Sequence, residues 1–297
     1  MRRRSVCALI LALGLAPAGS ASPTEPAGYL GSFVWRSDDP KLGGLSGIEI
    51  SADGQDFTVI SDRGNWTQGR FLREGSGRIT AIEAEPLRPL RGKGGMPLIG
   101  GRGDSEGLAL APDGSAYVSF EGTAKVLRYT SLDGPAEPLP IPAAFASMQG
   151  NSALEALAIG PDGSLYTLPE RSGAPRRPFP VWRFRNGAWD QPFAIPRSGG
   201  FLAVGADFGP DGRFYLLERR FHGLTGFSSR VRRFALNPGT DGLLKGETVL
   251  ESRVGQHDNL EGIAVWRDAG GLRLTLIADD NFFPLQRTEI VEYRISD

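Results

Sequence analysis

Ser105–Glu121 reads SEGLALAPDGSAYVSFE, and the chain repeats this phrase with variations. An apolar stretch with an acid near its start runs into an Asp-Gly turn, and a second apolar stretch ends in another acid. The other copies are Leu45–Asp62, Leu154–Glu170, Ala203–Glu218 and Leu260–Asp279. Asp-Gly between two alternating apolar runs is a hairpin signal, because glycine accepts positive φ without steric cost. The turn aspartates Asp53, Asp113, Asp162 and Asp211 are 60, 49 and 49 residues apart, and Asp268 follows 57 later.

A period near 50, with two strong strands and weaker ones after them, is the pattern of a β-propeller blade. Third strands are expected at Arg70–Arg73, Val126–Tyr129, Val181–Arg185, Arg230–Phe234 and Ile290–Arg294. The last unit runs out after its third strand, and Gly31–Trp35 can supply the missing one. Joining the termini in one blade in this way removes an open sheet edge. The reading is all-β, a propeller of five four-stranded blades. A sixth, degenerate blade would have to lie in Arg78–Gly101 or His222–Gly255.

The first residues carry Arg2, Arg3 and Arg4, an apolar run from Val6 to Ala16, then small residues to Ala21. That is the layout of an export signal over 1–21, by the general or the twin-arginine route, and the run is too short to span a bilayer. A single domain over 22–297, periplasmic or secreted and without a stable membrane anchor after cleavage, is expected. Cys7, the only cysteine, leaves with the signal, so no disulfide holds the fold. The remaining 34 acidic and 30 basic side chains give a net charge of −4, which speaks against nucleic acid as a partner.

If the turns at Asp113-Gly114 and Asp162-Gly163 are two-residue loops, Glu106 faces Glu121 and Glu155 faces Glu170, and a slightly longer loop sets Ser46 against Asp62, Val204 against Glu218 and Glu261 against Asp279. One level of the ring then collects Asp62, Glu106, Glu121, Glu155, Glu170, Glu218, Glu261 and Asp279, with Asp280 adjacent. Like charges directly opposed across a hairpin destabilise it, so something must compensate. A divalent cation would, and an oxygen-rich cluster suits Ca²⁺. A shared proton would too, since close carboxyls split their pKa values. Arginine partners are the third option: Arg63, Arg171 and Arg219 each follow a second-strand acid. Those three arginines could instead grip a phosphate. His257, at the start of the fifth hairpin, is a candidate base or ligand. Gly103-Asp104-Ser105-Glu106-Gly107 matches a nucleophile-elbow pattern, but that motif needs a strand-to-helix turn, and here it opens a strand. Acids copied in every repeat can equally be fasteners between blades.

Several segments resemble the bacterial phytase-like domain described as having esterase-like activity of phytase. They are Gly43-Gly-Leu-Ser-Gly47, Ser61-Asp-Arg-Gly64, Asp104-Ser-Glu-Gly-Leu108, Glu155-Ala-Leu157, Glu170-Arg171, Asp258-Asn-Leu-Glu-Gly-Ile263 and Asp279-Asp-Asn-Phe282. The resemblance spans roughly residues 30–295 and implies hydrolysis of phosphoesters or phosphodiesters at recurring Asp and Glu. Only four lysines (Lys41, Lys93, Lys125, Lys245) are present, which argues against a highly phosphorylated substrate such as phytate. Ser46 and Val204 replace the first-strand acid in units one and four, so the acid ring is lopsided. The sequence therefore raises three expectations: an exported metal-assisted hydrolase of a small phosphorylated substrate, a non-catalytic binding propeller, or a calcium-dependent lactonase or carboxylesterase.

Overall fold

The computed structural model describes residues 28–148 and 152–297; the expected export signal lies outside the described residues. Five four-stranded antiparallel blades follow one another along the chain, the first with a short extra strand, Arg88–Pro89, beside its third. Blade 1 is Leu45–Ile50, Asp56–Ser61, Asn65–Arg73 and Ile79–Ala84, and blade 2 is Ser105–Leu110, Ala116–Phe120, Lys125–Tyr129 and Glu137–Pro138. Blade 3 is Leu154–Ile159, Leu165–Pro169, Phe179–Arg185 and Ala188–Ile195, and blade 4 is Leu202–Phe208, Phe214–Phe221, Phe227–Phe234 and Gly246–Glu251. Blade 5 takes Asn259–Asp268, Gly271–Asp279 and Glu289–Ile295 from the C-terminal end and Tyr29–Val34 from the N-terminal end. The termini thus close one blade, as the sequence led us to expect. The stretches that might have hidden a sixth blade hold outer strands of blades 1 and 4.

The first strands of the five blades touch in a closed ring, each against the first strand of the next. Burial follows this arrangement. Five apolar clusters occupy the five blade–blade interfaces. Tyr215 and Leu274 belong to the cluster between blades 4 and 5, and Phe179 and Phe214 to that between blades 3 and 4. Leu90 with Phe120, Phe57 with Ile277, and Val126 with Leu157 mark the other three. Where blade 5 meets blade 1, an ion network sits in the seam. Glu292 accepts from Arg73 at 2.7 Å, Arg273 at 2.6 Å and the Thr275 hydroxyl at 3.0 Å.

The turns differ from the expected two-residue loops. Gly114 N–H bonds Ala111 O, only Gly114 has positive φ (+85°), and the last strand pair is Leu110 with Ala116. Asp113 is therefore the corner of a type I turn, and its carboxylate accepts the N–H of Ser115 at 2.9 Å. Asp53, Asp162 and Asp211 make the same contact two residues on. This shifts the register by one residue from the sequence-based pairing, and Glu106 does not face Glu121 across the hairpin.

Every first strand also carries an irregularity near its start. The register breaks between Leu45 and Gly47, Ser105 and Leu108, Leu154 and Ala156, Ala203 and Gly205, and Leu260 and Gly262. Ser46, Glu106, Glu155, Val204 and Glu261 are the unpaired residues of these β-bulges. The residue after each is Gly or Ala because the neighbouring inner strand passes close by. A Cβ on Gly205 would lie 2.4 Å from the carbonyl oxygen of Glu261, and one on Gly107 would lie 2.8 Å from Leu157 N. A rigid backbone cannot move aside as a side-chain tip can. Gly205→Val should lower stability by at least about 1–3 kcal/mol, the usual cost of overpacking, read as a fall in the midpoint of thermal or urea unfolding.

Candidate functional site at the propeller mouth

The bulges place Glu106, Glu155 and Glu261 at the end of the ring where first strands begin and second strands finish. The second-strand residue just beyond the partner of the position before each bulge joins them: Asp62, Glu121, Glu170, Arg219 and Asp279. The sequence-based alignment put Glu218 at this level. The structure pairs Glu218 with Ala203, and adjacent strand residues face opposite sides. Glu218 is fully buried away from the mouth. Arg232 binds both its oxygens, at 2.6 and 2.7 Å, and Arg230 binds one at 3.0 Å. Its negative charge is satisfied, and it is not a ligand candidate.

Two further expected residues are also elsewhere. His257 packs between Tyr29 and Tyr293, with Nε2 2.5 Å from the Tyr293 hydroxyl on the third strand of blade 5. It is buried against the third and fourth strands of that blade, with its ring nitrogen engaged by a tyrosine rather than by a mouth carboxylate. Asp280 spends Oδ1 on the N–H groups of Gly44 and Phe282, both at 3.0 Å, and Oδ2 on the Thr288 hydroxyl at 2.9 Å. It ties the loop to blade 1 rather than offering a free oxygen. Ser105 donates to Ser61 O at 2.6 Å and is fully buried, which fits its reading as a strand residue rather than a nucleophile.

The mouth has two unlike halves. On the side of blades 3 to 5, Arg219 bridges carboxylates. It bonds Glu261, Glu170 at 3.3 Å and the Asn259 side-chain oxygen at 2.5 Å, while Arg171 bonds Glu170 at 3.1 Å. Burial opposes the charge on Arg219, but Glu261, Glu155 and Glu170 together raise its pKa. This half is the carboxylate–guanidinium girdle that the Asp-Arg and Glu-Arg pairs hinted at. On the side of blades 1 and 2, Asp104, Glu106 and Glu121 offer carboxylate oxygens within 4.8 Å of one another. None of the three is in an ion pair, nor is Asp62, among the described residues. Arg63, next to Asp62, is exposed and lies over the Phe282 ring at 3.2 Å.

The proton affinities reflect this crowding. Burial, then the charges of Glu261 and Glu121, push Glu106 well up; burial and Glu106 do the same to Glu155. Glu121 is raised by burial, although its carboxyl lies within hydrogen-bond reach of Glu155. Asp62 is pushed up to about 7 by burial and by Glu261, and its Oδ1 is buried without a hydrogen-bond partner. A Cβ on Gly44 would lie 2.0 Å from that oxygen, so only glycine admits the carboxylate there. Asp279 is pushed up to about 8 by burial and Glu261, against the pull of the Asn281 N–H.

Sequence reasoning missed Asp104 and Asn259. Each stands two residues before a bulge glutamate, in equivalent places of units two and five, and so lies on the same face. The spacing Asp104-x-Glu106 and Asn259-x-Glu261 was the available signal. It also missed a second level of acids. The two units without a bulge acid carry one three residues later, Glu49 after Ser46 and Asp207 after Val204. Glu49 accepts the N–H of Leu110 on blade 2 at 3.2 Å, and Asp207 that of Val265 on blade 5 at 2.6 Å. Burial and the charge of Asp207 raise Glu49, and burial takes Asp207 to about 7. These two are the blade fasteners that the repeated acids might all have been.

The family model Phytase-like, "Esterase-like activity of phytase", matches residues 40–282. The chain belongs to that family. It is similar to the PQQ-bound aldose sugar dehydrogenase of Streptomyces coelicolor, at 17% identity over 90% of this chain and 98% of that one, with a TM-score of 0.47. It is also similar to a gluconolactonase of Xanthomonas campestris, at 14% identity over 85% and 72% of the two chains, with a TM-score of 0.43. A third likeness is to virginiamycin B lyase of Staphylococcus aureus, at 11% identity over 89% and 98%, with a TM-score of 0.40. No curated protein sequence matches the chain.

Two measurements test this division of labour. Asp62, Asp207 and Asp279 hold their protons more tightly folded than unfolded, so the folded state binds more protons between their ordinary value of 3.8 and about 7 to 8. Stability of the ion-free protein should fall as pH rises through that window, and Asp279→Asn should flatten the dependence of melting temperature on pH. Glu218→Ala, which strands two buried guanidiniums, should cost about 3–5 kcal/mol in denaturant unfolding. Glu106→Gln removes a repulsion and should leave stability unchanged or higher.

Proposed function

We propose that this protein is an exported, metal-assisted hydrolase of phosphoesters or phosphodiesters, working at the acid-only half of the mouth. One observation carries the reading: Asp104, Glu106 and Glu121 converge within 4.8 Å with no guanidinium among them. Among the described residues arginines pair with Glu170, Glu218 and Glu261 and none pairs here.

The residues fit Ca²⁺. The donor set is carboxylate oxygen throughout, which suits a hard cation, and the orphaned Asp62 Oδ1 adds a further buried acceptor at the same rim. Asp104, Glu106 and Glu121 would hold the ion, with Asp62 beside them. When bound, it would polarise a phosphoryl oxygen and lower the pKa of water. The chain's own groups account for the rest. Arg63 is exposed and steadied by Phe282, and Arg171 is exposed on the opposite rim; each can take one oxygen of an anionic substrate. Glu121 and Glu155 lie within hydrogen-bond reach of each other, and burial raises the proton affinity of both. A carboxyl with raised proton affinity can donate its proton to the leaving oxygen as the ester bond breaks. The ionised neighbour accepts the proton lost by the attacking water.

A second reading, hydrolysis of a carboxylic ester or lactone, draws support from Arg219. It is committed to Glu170, Glu261 and Asn259, which leaves few cations for a phosphate. A purely binding propeller is the third.

The test is a calcium titration followed by thermal unfolding, with turnover of an aryl phosphodiester, an aryl carboxylic ester and a lactone. Calcium should raise the melting temperature and support phosphodiester cleavage. Glu106→Gln and Glu121→Gln should each abolish both, with activity down at least about a hundredfold. Turnover of lactone or carboxylic ester alone selects the second reading. Stabilisation by calcium without turnover of any ester selects the third, and no response to calcium sinks the metal-assisted reading.

A further inference from the structure

The apolar side chains that the fold leaves in solvent are not scattered. Among the described residues nine large hydrophobics are exposed, and only Leu72 lies on a strand away from the mouth. Of the other eight, Phe221 ends the second strand of blade 4 and seven lie in connectors, all at the end of the ring where the first strands begin. A soluble domain normally shows such residues singly and on all sides.

Five of them form one continuous edge over blades 4 and 5. Phe221 and Leu224 lead from the second to the third strand of blade 4, and the Phe221 ring packs on Phe227 at 5.0 Å. Leu224 stands on a one-turn 3₁₀ segment, Gly223–Thr225, with its side chain entirely in solvent. Val254 is on the adjoining connector, where Gly255 N–H bonds Phe227 O at 2.8 Å. Phe283 and Leu285 are on the next loop, fastened to that connector by Gln286 and Arg287, which donate to Asp258 at 2.9 Å. Exposed guanidiniums stand between these tips. Among the described residues Arg220 bonds only the Gly199 carbonyl and Arg253 makes no ion pair, and Arg287 lies 3.6 Å from the buried Glu289. Glu251 is the exposed acid at this edge. Asp258 is spent on loop hydrogen bonds, and the acids of the mouth are recessed.

We propose that this edge docks reversibly on an anionic lipid surface, with Leu224, Phe283 and Leu285 entering the boundary of the acyl chains and Arg220, Arg253 and Arg287 meeting lipid phosphates. The apolar tips stand in solvent with cations among them, the pattern of an interfacial segment. A protein partner would be better served by a flat or concave patch with a dry centre. The processed chain is net negative, which gives no general attraction to anions, so the charge complementarity is local. The inference is independent of whether the mouth turns over a substrate.

The test is co-sedimentation of the exported, processed chain with vesicles of phosphatidylcholine alone or mixed with phosphatidylglycerol. Binding to the mixed vesicles, absent with phosphatidylcholine alone and weakening as salt is raised, is expected. Leu224→Asp with Phe283→Asp should lower partitioning about tenfold or more. Arg220→Gln, Arg253→Gln and Arg287→Gln together should remove the preference for the anionic lipid. Both variants change exposed tips and should keep the wild-type melting temperature. The proposal is overturned if neither vesicle binds, if binding survives both variants, or if the chain self-associates without lipid and Leu224→Asp abolishes that. The last result would give the edge to a second copy of the chain.

Discussion

Five strands that meet around one axis leave no room for side chains between neighbours. The chain meets this constraint with a small residue, Gly47, Gly107, Ala156, Gly205 or Gly262, at the closest approach in each blade. Next to each small residue the strand takes in one unpaired residue as a bulge. The same device therefore lets the inner strands close into a ring and turns one side chain per blade towards the mouth. Where that side chain is glutamate, three times in five, a crowded acid site results. Where it is Ser46 or Val204, the acid sits three residues on and fastens the next blade by a backbone hydrogen bond instead.

Crowded carboxylates oppose folding unless the charge is cancelled, and the chain cancels it unevenly. Arg219 occupies the position held by an acid in each of the other four units and binds its neighbours Glu170 and Glu261. Across the mouth, Asp62, Asp104, Glu106 and Glu121 make no ion pair among the described residues; burial raises the proton affinity of all four, and neighbouring carboxylates add to it for Asp62, Glu106 and Glu121. A five-fold scaffold has become a one-sided site. Cores lie between blades rather than on the axis, so the mouth can be strained without weakening any single hydrophobic cluster.

Much of this was legible in the repeat. The blade count, the closure of the ring by Tyr29–Val34, and the gathering of acids at one end follow from periodicity and alternation, which are local properties. Glu218 shows where that reasoning stops. It looked equivalent to Glu170 because each ends a hairpin, but one residue of register sends it to the opposite face, where Arg230 and Arg232 wait on the third strand. Register depends on turn geometry, and the Asp-Gly pairs form type I turns with one left-handed glycine rather than two-residue loops. Asp280 and His257 likewise sit beside the right motifs and face the wrong way.

The sequence by itself determined the architecture and the supply of charge, because strand alternation and turn chemistry act between residues close along the chain. Only the tertiary structure decided which acids share a site, which are neutralised and which merely fasten blades. Those outcomes depend on side chains from different blades meeting within a few ångströms, where burial and partner charge, rather than residue type, set what a carboxylate can do.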